Sequence, residues 1–138
     1  MKVLLDTNVI VDNLALRKPY AKDAKAIFYL IATNRIMGYV NTNSITDIYY
    51  IVRKTFNDID SRDKIRTLIT LFQTIEVTKA DCYVALDSSV PDFEDALVAV
   101  CADKEGLDYI VTRDDEFLKL PKAVTPSEFL GSIIGFIK

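Results

Sequence analysis

The sequence predicts an α/β fold, a three-layer α/β/α sandwich with a mainly parallel central sheet. Short apolar runs of the kind found in buried strands alternate along the chain with longer segments whose apolar residues recur every three or four positions. The chain has 138 residues, half of them hydrophobic, which is enough for one core. We therefore expect a single domain over residues 1–138, with helices on both faces of the sheet.

Five short segments are predicted as strands because each is an apolar run next to polar or turn-forming residues. They are residues 2–5 (KVLL), 36–40 (IMGYV), 75–77, 108–112 (DYIVT) and 123–125. Three polar residues, Asp6, Thr7 and Asn8, follow the first of these runs and separate it from a second apolar run, Val9–Val11. We expect the strand to end at Asp6 and the chain to return to the core through Val9 and Ile10.

Five longer segments are predicted as helices from their apolar periodicity. They are residues 20–33, 44–55, 61–72, 80–86 and 92–104. The last of them contains the apolar sequence ALVAVCA and is expected to be largely buried. The less ordered connections are expected at residues 15–19, 57–60 and 88–91. The C-terminal FLGSIIGFIK, residues 129–138, is expected to pack against the body of the protein or a partner.

Composition limits the chemistry available to the chain. There is no histidine, which excludes Ser-His triads and most zinc sites and leaves carboxylates, hydroxyls, Lys, Arg or a hard cation. The two cysteines form no disulfide framework, so we expect a reducing, cytoplasmic compartment. No apolar run reaches the length of a membrane span. The net charge of −3 does not indicate nucleic-acid binding through bulk electrostatics.

Four aspartates are predicted to meet at one edge of the sheet. Asp6 directly follows the first strand and Asp114 follows the strand at 108–112. Asp47 and Asp95 are expected in the first turns of helices. Because strand carboxyl ends and the helix starts that follow them share one edge, these four carboxylates converge there.

Each acid also has a local structural explanation. Asp47 follows Ser44 by three residues, the spacing of a capping box. Asp92 is the expected N-cap of the buried helix, and Asp95 would complement the dipole of the same helix. Asp114 would cap a short turn after it. These explanations do not account for the convergence of four acids on one edge.

Clustered carboxylates repel one another, and a divalent cation relieves that repulsion. Sites made of carboxylate oxygens favour Mg²⁺ or Mn²⁺, which can activate water and orient attack on a phosphoryl group. Thr7 and Asn8 are then short polar groups that hydrogen-bond the Asp6 carboxylate, the metal's water or a phosphate. The sequence therefore predicts a metal site built from aspartates.

The chain resembles PIN-domain nucleases in four of its segments. These are LLDTNVIVD at 4–12, NSITDIYYIVRK at 43–54, DFEDALVAVCA at 92–102 and DYIVTRDDEFL at 108–118. They occur in the family's order and spacing and span most of the chain. The length is similar to that of the stand-alone, VapC-like members, which are commonly ribonuclease toxins of toxin–antitoxin pairs.

The resemblance implies an acidic quartet that binds Mg²⁺ or Mn²⁺ and hydrolyses RNA phosphodiesters. Carried over by motif, the quartet is Asp6, Asp47, Asp95 and Asp114. The family usually has Glu at the position of Asp47, and the shorter Asp is expected to hold the metal weakly or through water. Asp92 lies nearby, and Thr112 resembles the hydroxyl residue that the family places beside its last acid. A small antitoxin partner and a homodimer are also implied.

Contacts to RNA require positive charge near the acidic site. Arg113, next to Asp114, is the first candidate, and Arg53 and Lys54 lie about two turns along the helix that carries Asp47. The Tyr49–Tyr50 pair could stack on bases, with Tyr49 the one at a core position.

Three other functions are compatible with parts of this pattern. A receiver-like phosphoacceptor domain also places acids at strand ends, but it needs an Asp after the third strand and a Lys after the fifth, which IEVTKAD and AVTPSE do not supply. A phosphatase of the Asp-x-Asp type would need an acid where Asn8 stands. A PIN-like module that binds RNA or an antitoxin without cleavage is the third, and it is favoured by Asp47 in place of Glu.

Overall fold

The computed structural model describes residues 1–133 and contains a five-stranded sheet in which all neighbouring strands are parallel. The strands are β1 (Lys2–Leu5), β2 (Met37–Asn41), β3 (Gln73–Ile75), β4 (Tyr109–Val111) and β5 (Ala123–Val124). Their spatial order is β3-β2-β1-β4-β5, so β1 is the central strand. The predicted fold class, with its mainly parallel sheet, is confirmed.

Seven α-helices and one short 3₁₀ helix connect and cover the strands of residues 1–133. The helices are α1 (Thr7–Leu14), α2 (Ala21–Ala32), α3 (Thr42–Val52), α4 (Asp58–Leu71), α5 (Lys79–Leu86), α6 (Phe93–Lys104) and α7 (Pro126–Ile133), with the 3₁₀ helix at Phe117–Lys119. Helices α1 to α4 and α7 contribute to one hydrophobic core, while α6 contributes to a second core.

Alternation along the central strand explains how one sheet supports two cores. Val3 and Leu5 point to the core that contains α1, α2, α3, α4 and α7, whereas Leu4 points to the core of α6. All three side chains are at most 2% exposed. A strand with both faces covered must be apolar throughout, which is why KVLL was recognisable as a strand. Because all neighbouring strands are parallel, their carboxyl ends lie at one edge of the sheet.

Helix α1 was missed by the sequence interpretation, which expected only a turn back into the core after Asp6. The structure begins a helix at Thr7 directly after the strand. Its apolar residues Val9, Ile10 and Leu14 are buried at helical spacing. An N-capping Asp before such a pattern is the signal for this helix.

The structure corrects one further expectation and confirms another. Residues 57–60 are not a loosely ordered connection, since Asn57 caps α4 and its side chain accepts a hydrogen bond from the Asp60 backbone N–H. The expected packing of the C-terminal segment is confirmed for Phe129 and Ile133, which are buried on α7. Residues 134–138, the last five of the FLGSIIGFIK segment, lie outside the described residues.

The order of the strands decides against the receiver-like alternative. Receiver domains follow the order 2-1-3-4-5, in which β1 and β3 are neighbours. In this sheet β1 lies between β2 and β4, and β3 is an edge strand beyond β2.

Within the described part of the chain, no helix combines the length and the apolar character needed to cross a bilayer.

Candidate metal-dependent nuclease site

Asp6 connects the central strand to helix α1. Its Oδ1 accepts a hydrogen bond of 2.8 Å from the Thr7 backbone N–H, which makes Asp6 the N-cap of the helix. Its Oδ2 accepts hydrogen bonds from the Asn8 side-chain amide at 3.1 Å and from the Thr112 hydroxyl at 2.8 Å. Asp6 interrupts the apolar sequence because the strand ends and the helix begins there, and three donors fix its carboxylate.

Thr112 joins the carboxyl ends of β1 and β4. Its hydroxyl donates to Asp6 and accepts a hydrogen bond of 3.0 Å from the Asp114 backbone N–H. The Thr112 side chain is fully buried, so this connection is shielded from solvent. Asp114 accepts a hydrogen bond of 3.0 Å from the Glu116 N–H, in agreement with its predicted capping of the next turn. Thr112 therefore sets the position of Asp114 relative to Asp6.

Helix α6 brings a third aspartate to the same edge. Asp92 is its N-cap, as predicted, and Oδ1 of Asp92 accepts a hydrogen bond of 2.9 Å from the Asp95 backbone N–H. This cap starts the helix so that Asp95 lies in its first turn. The rest of the helix is held by buried residues such as Ala96 and Cys101, so its start is a rigid base for Asp95.

Asp6, Asp95 and Asp114 line one cleft of about 680 Å³. Burial raises the pKa of Asp95 to about 6, with a further contribution from the nearby carboxylates of Asp92, Asp114 and Asp6. Burial also raises the pKa of Asp6, although the Thr112 hydrogen bond acts in the opposite direction. The cleft thus concentrates negative charge, and a bound cation would relieve it.

The residues of this cleft fit a hard divalent cation. Three carboxylates supply the oxygen ligands that Mg²⁺ and Mn²⁺ prefer. Oδ1 of Asn8 is buried beside Asp6 without a hydrogen-bond partner, as expected for an atom that faces a water or an ion. In residues 1–133, no three acidic or thiol side chains are already grouped closely enough to hold a metal. Ligation would therefore draw these side chains together.

Asp47 was predicted in the first turn of its helix, and this prediction is wrong. Helix α3 begins at Thr42, so Asp47 lies in its second turn. The capping-box explanation is also wrong, because Asn41 occupies the N-cap position and Ser44 lies inside the helix. The exposed Asp47 lines a neighbouring cavity rather than the cleft of Asp6, whereas Ser44 lines that cleft. Glu94 lines both spaces, so it lies between Asp47 and the other three aspartates.

The predicted RNA-contacting residues differ in their surroundings. The Arg113 guanidinium is bound to Asp12, with Nε at 2.6 Å from Oδ2 and Nη2 at 2.9 Å from Oδ1, and it stacks on the Tyr20 ring at 3.6 Å. Arg53 donates to the Phe56 carbonyl and so closes the end of α3. Lys54 instead lines the cavity of Asp47 and has no ion-pair partner in the described part of the chain.

The sequence interpretation missed Asp12 and Glu94. Asp12 is fully buried and pairs with both Arg17 and Arg113, which fixes the loop after β4 against α1. An acid on the apolar face of VIVDNL was a signal that a buried cation partner exists. Glu94 directly precedes Asp95 in the first turn of α6, and burial followed by the Asp47 and Asp92 carboxylates raises its pKa. Its position between two acidic residues was the available signal.

Comparison with known proteins identifies the family of this chain. The profile of the PIN domain family matches residues 2–116. This chain belongs to the PIN domain family. A PIN relative, ribonuclease VapC1 of Aquifex aeolicus (strain VF5), is 31% identical over 121 residues, which cover 84% of this chain and 83% of that protein. The predicted family is confirmed.

Solved structures of VapC proteins share this PIN fold. Mycobacterium tuberculosis VapC20, a toxin that cleaves the sarcin-ricin loop, superimposes with a TM-score of 0.68 at 14% identity over 85% of this chain and 93% of that one. A toxin–antitoxin complex from Klebsiella pneumoniae gives a TM-score of 0.67 at 19% identity over 90% and 97% of the two chains. At these identities the similarity establishes the fold.

Proposed function

We propose that this PIN domain is a divalent-metal-dependent endoribonuclease and the toxin of a toxin–antitoxin pair. The ribonuclease function predicted from the sequence agrees with the VapC1 relative. The observation that carries the proposal is the collection of Asp6, Asp95 and Asp114 in one cleft at the carboxyl edge of the sheet. Ionised carboxylates placed together repel one another, which destabilises the fold unless a cation neutralises them, so their clustering is explained by cation binding.

We assign the metal to Asp6, Asp95 and Asp114, with Asp47 acting from the adjoining cavity through water. A bound Mg²⁺ or Mn²⁺ supplies an activated water and stabilises the charge that develops on the phosphoryl oxygens. The Thr112 hydroxyl donates to the Asp6 carboxylate and accepts from the Asp114 backbone N–H, so it links the positions of these two residues. Asn8 keeps the Asp6 carboxylate turned toward the cleft and presents its free Oδ1 beside it.

The chain's cations divide into positioning residues and substrate-binding residues in this proposal. Arg113 holds the loop after β4 against α1 through its two bonds to Asp12, and Arg53 donates to the Phe56 carbonyl at the end of α3. Lys54 is left to contact the RNA backbone near the acidic cleft.

The partners of this chain follow from the same proposal. Structures with the same fold include VapBC assemblies bound to DNA, from Rickettsia felis among others. We expect a small antitoxin to place a helix or extended arm over the acidic cleft, where an Arg or Lys would displace the metal. We also expect a homodimer. The free thiols of Cys82 and Cys101 agree with a cytoplasmic location.

The test is cleavage of a mixed RNA pool by the purified protein, with Mn²⁺ or Mg²⁺, with EDTA, and with the variant Asp6→Asn. We expect cleavage that requires the metal and falls at least about a hundredfold in Asp6→Asn. Expression of the active protein should also arrest growth unless the antitoxin is present. A folded, antitoxin-free protein that cleaves no RNA with either metal would contradict the proposal.

A PIN-like binding module without cleavage is the second candidate, and the position of Asp47 favours it. Asp47, which is one methylene shorter than the usual Glu, lines the adjoining cavity and not the cleft that Asp6, Asp95 and Asp114 share. If this candidate is correct, the wild-type protein binds RNA or its antitoxin without cleaving RNA. Asp47→Glu, which restores the usual PIN residue, should then produce metal-dependent cleavage.

A further inference from the structure

An open cavity of about 360 Å³ adjoins the acidic cleft. Its lining is Thr7, Asp47, Tyr50, Ile51, Lys54 and Glu94. Glu94 also lines the cleft, and Thr7 directly follows Asp6, so the two spaces share a wall. A polymer whose phosphodiester lies in the cleft would extend into this cavity with its neighbouring residue.

Tyr50 provides an aromatic surface at the edge of the cavity. The side chain is 66% exposed, although the ring packs edge-on against Tyr49 with centroids 5.2 Å apart. Tyr49 is itself held, because its hydroxyl donates to the Asp58 carboxylate. The Tyr50 ring is therefore supported on one side and open to solvent on another. Nucleobases in single strands stack on aromatic side chains presented in this way.

Lys54 follows Tyr50 by four residues and lines the same cavity. The neighbouring cations are engaged elsewhere, since Arg62 pairs with Asp58 and Arg53 donates to the Phe56 carbonyl. The Lys54 ammonium is thus available for a phosphate. Asp47 and Glu94 repel a phosphate but accept hydrogen bonds from hydroxyl groups, which places the phosphate at Lys54 and the ribose hydroxyls at the carboxylates.

We propose that Tyr50 and Lys54, with the cavity between them, bind one nucleotide of single-stranded RNA next to the phosphodiester at the metal cleft. Tyr50 stacks on the base and Lys54 binds the adjoining phosphate. This subsite rests on the proposed ribonuclease function, because the cleft supplies the direction of the strand. Recognition by stacking is tolerant of sequence, so the subsite adds affinity at this position for any base.

The test measures RNA binding separately from cleavage. Fluorescence anisotropy with a labelled twelve-nucleotide single-stranded RNA is recorded on proteins that all carry Asp6→Asn, in the presence of Mn²⁺. We expect Tyr50→Ala to raise Kd about tenfold or more and Tyr50→Phe to leave it within about twofold. Tyr83→Ala is the matched control, because Tyr83 is 60% exposed on α5 and lines neither space. Equal Kd values for Tyr50→Ala and Tyr83→Ala would overturn the proposal.

Lys54 is tested in the same background through the salt dependence of Kd. We expect Lys54→Ala to weaken binding and to reduce the slope of log Kd against log salt by about 0.7, the contribution of one phosphate on a single strand. Lys54→Arg should retain both the affinity and the slope. An unchanged slope in Lys54→Ala would remove the phosphate contact from the proposal.

Cleavage assays of proteins that retain Asp6 separate this proposal from the ribonuclease function. If the wild-type protein cleaves RNA and Tyr50→Ala changes neither KM nor Kd, the subsite is wrong and the nuclease function stands. If the wild-type protein does not cleave but Tyr50→Ala weakens binding, the subsite stands and the nuclease function is wrong. If it cleaves and Tyr50→Ala raises KM together with Kd, both are supported.

Discussion

The strand ends beside the acidic cleft and the helices that line the adjoining cavity are built differently. On the strand side, formed by Asp6, Asp12, Thr112 and Arg113, every side chain has a hydrogen-bond or ion-pair partner within the protein. On the helix side, formed by Asp47, Tyr50, Lys54 and Glu94, the side chains are exposed. The comparison indicates that the strand side is fixed within the protein, as the proposed metal site requires, whereas the helix side is free to contact the proposed RNA substrate.

The largest expected effect is on the free energy of unfolding. It comes from removing a partner of the buried Asp12 carboxylate, which both Arg113 and Arg17 bind. Arg113 makes two contacts to Asp12 and its side chain is 25% exposed, whereas Arg17 makes one contact and is 41% exposed. Removing the main partner of a buried charge costs about 3–5 kcal/mol, so Arg113→Ala should lower the free energy of unfolding by about that amount. Arg17→Ala should cost about 1 kcal/mol.

Urea denaturation of both variants measures this difference in stability. If Arg113 instead acts as an RNA contact with no structural role, the two variants will be equally stable. RNA binding by the stable Arg113→Ala variant would then fall with a reduced salt slope, as expected for a lost phosphate contact.

The pH dependence of metal binding gives an intermediate effect. Burial and neighbouring carboxylates raise the pKa of Asp95 to about 6, and burial raises the pKa of Asp6. A cation binds the ionised form and must compete with the proton below these pKa values. We expect Mn²⁺ affinity to fall about tenfold per pH unit below pH 6 and to be nearly constant above pH 7. Calorimetric titration between pH 5 and 8 measures this dependence; constant affinity across that range would contradict it.

The smallest expected effect is a rise in the Tm of the metal-free protein when Asp95 is replaced by Asn. The pKa of Asp95 is higher in the folded protein than in the unfolded chain, so its ionised form destabilises the fold as pH rises from about 4 to 6. Asp95→Asn removes this cost, about 1 kcal/mol after allowance for solvent screening, and should raise Tm by about 4 °C at pH 7.5 in EDTA. At pH 4 the two Tm values should converge. A lower Tm for Asp95→Asn at pH 7.5 would mean that this carboxylate stabilises the fold.

The parts of the fold that could be predicted from the sequence are those that depend on local sequence patterns. The strand KVLL and the buried helix α6 could be predicted because two-sided burial leaves a continuous apolar sequence. Helices α1 and α7 were missed although both have local start signals. Asp6 caps α1, and Thr125 and Glu128 form a reciprocal capping box at the start of α7.

The acidic cleft was predictable in part. Parallel strands place Asp6 and Asp114 at one edge whatever the packing, so topology alone brings them together. The pairing of Arg113 with Asp12 joins residues 101 positions apart and depends on how α1 packs against the loop after β4. The separation of Asp47 from the cleft depends on where α3 begins, and helix boundaries are poorly defined by sequence.

Calorimetric titration of Mn²⁺ at pH 7.5 into the wild-type protein, Asp6→Asn and Asp47→Asn shows whether the metal binds at the strand ends. If the metal lies in the cleft on the strand side, Asp6→Asn loses at least about tenfold in affinity, and Asp47→Asn loses less because its carboxylate lines the adjoining cavity. Equal Mn²⁺ affinity in the wild-type protein and Asp6→Asn would contradict the account, since Asp6 is the residue around which the cleft is built.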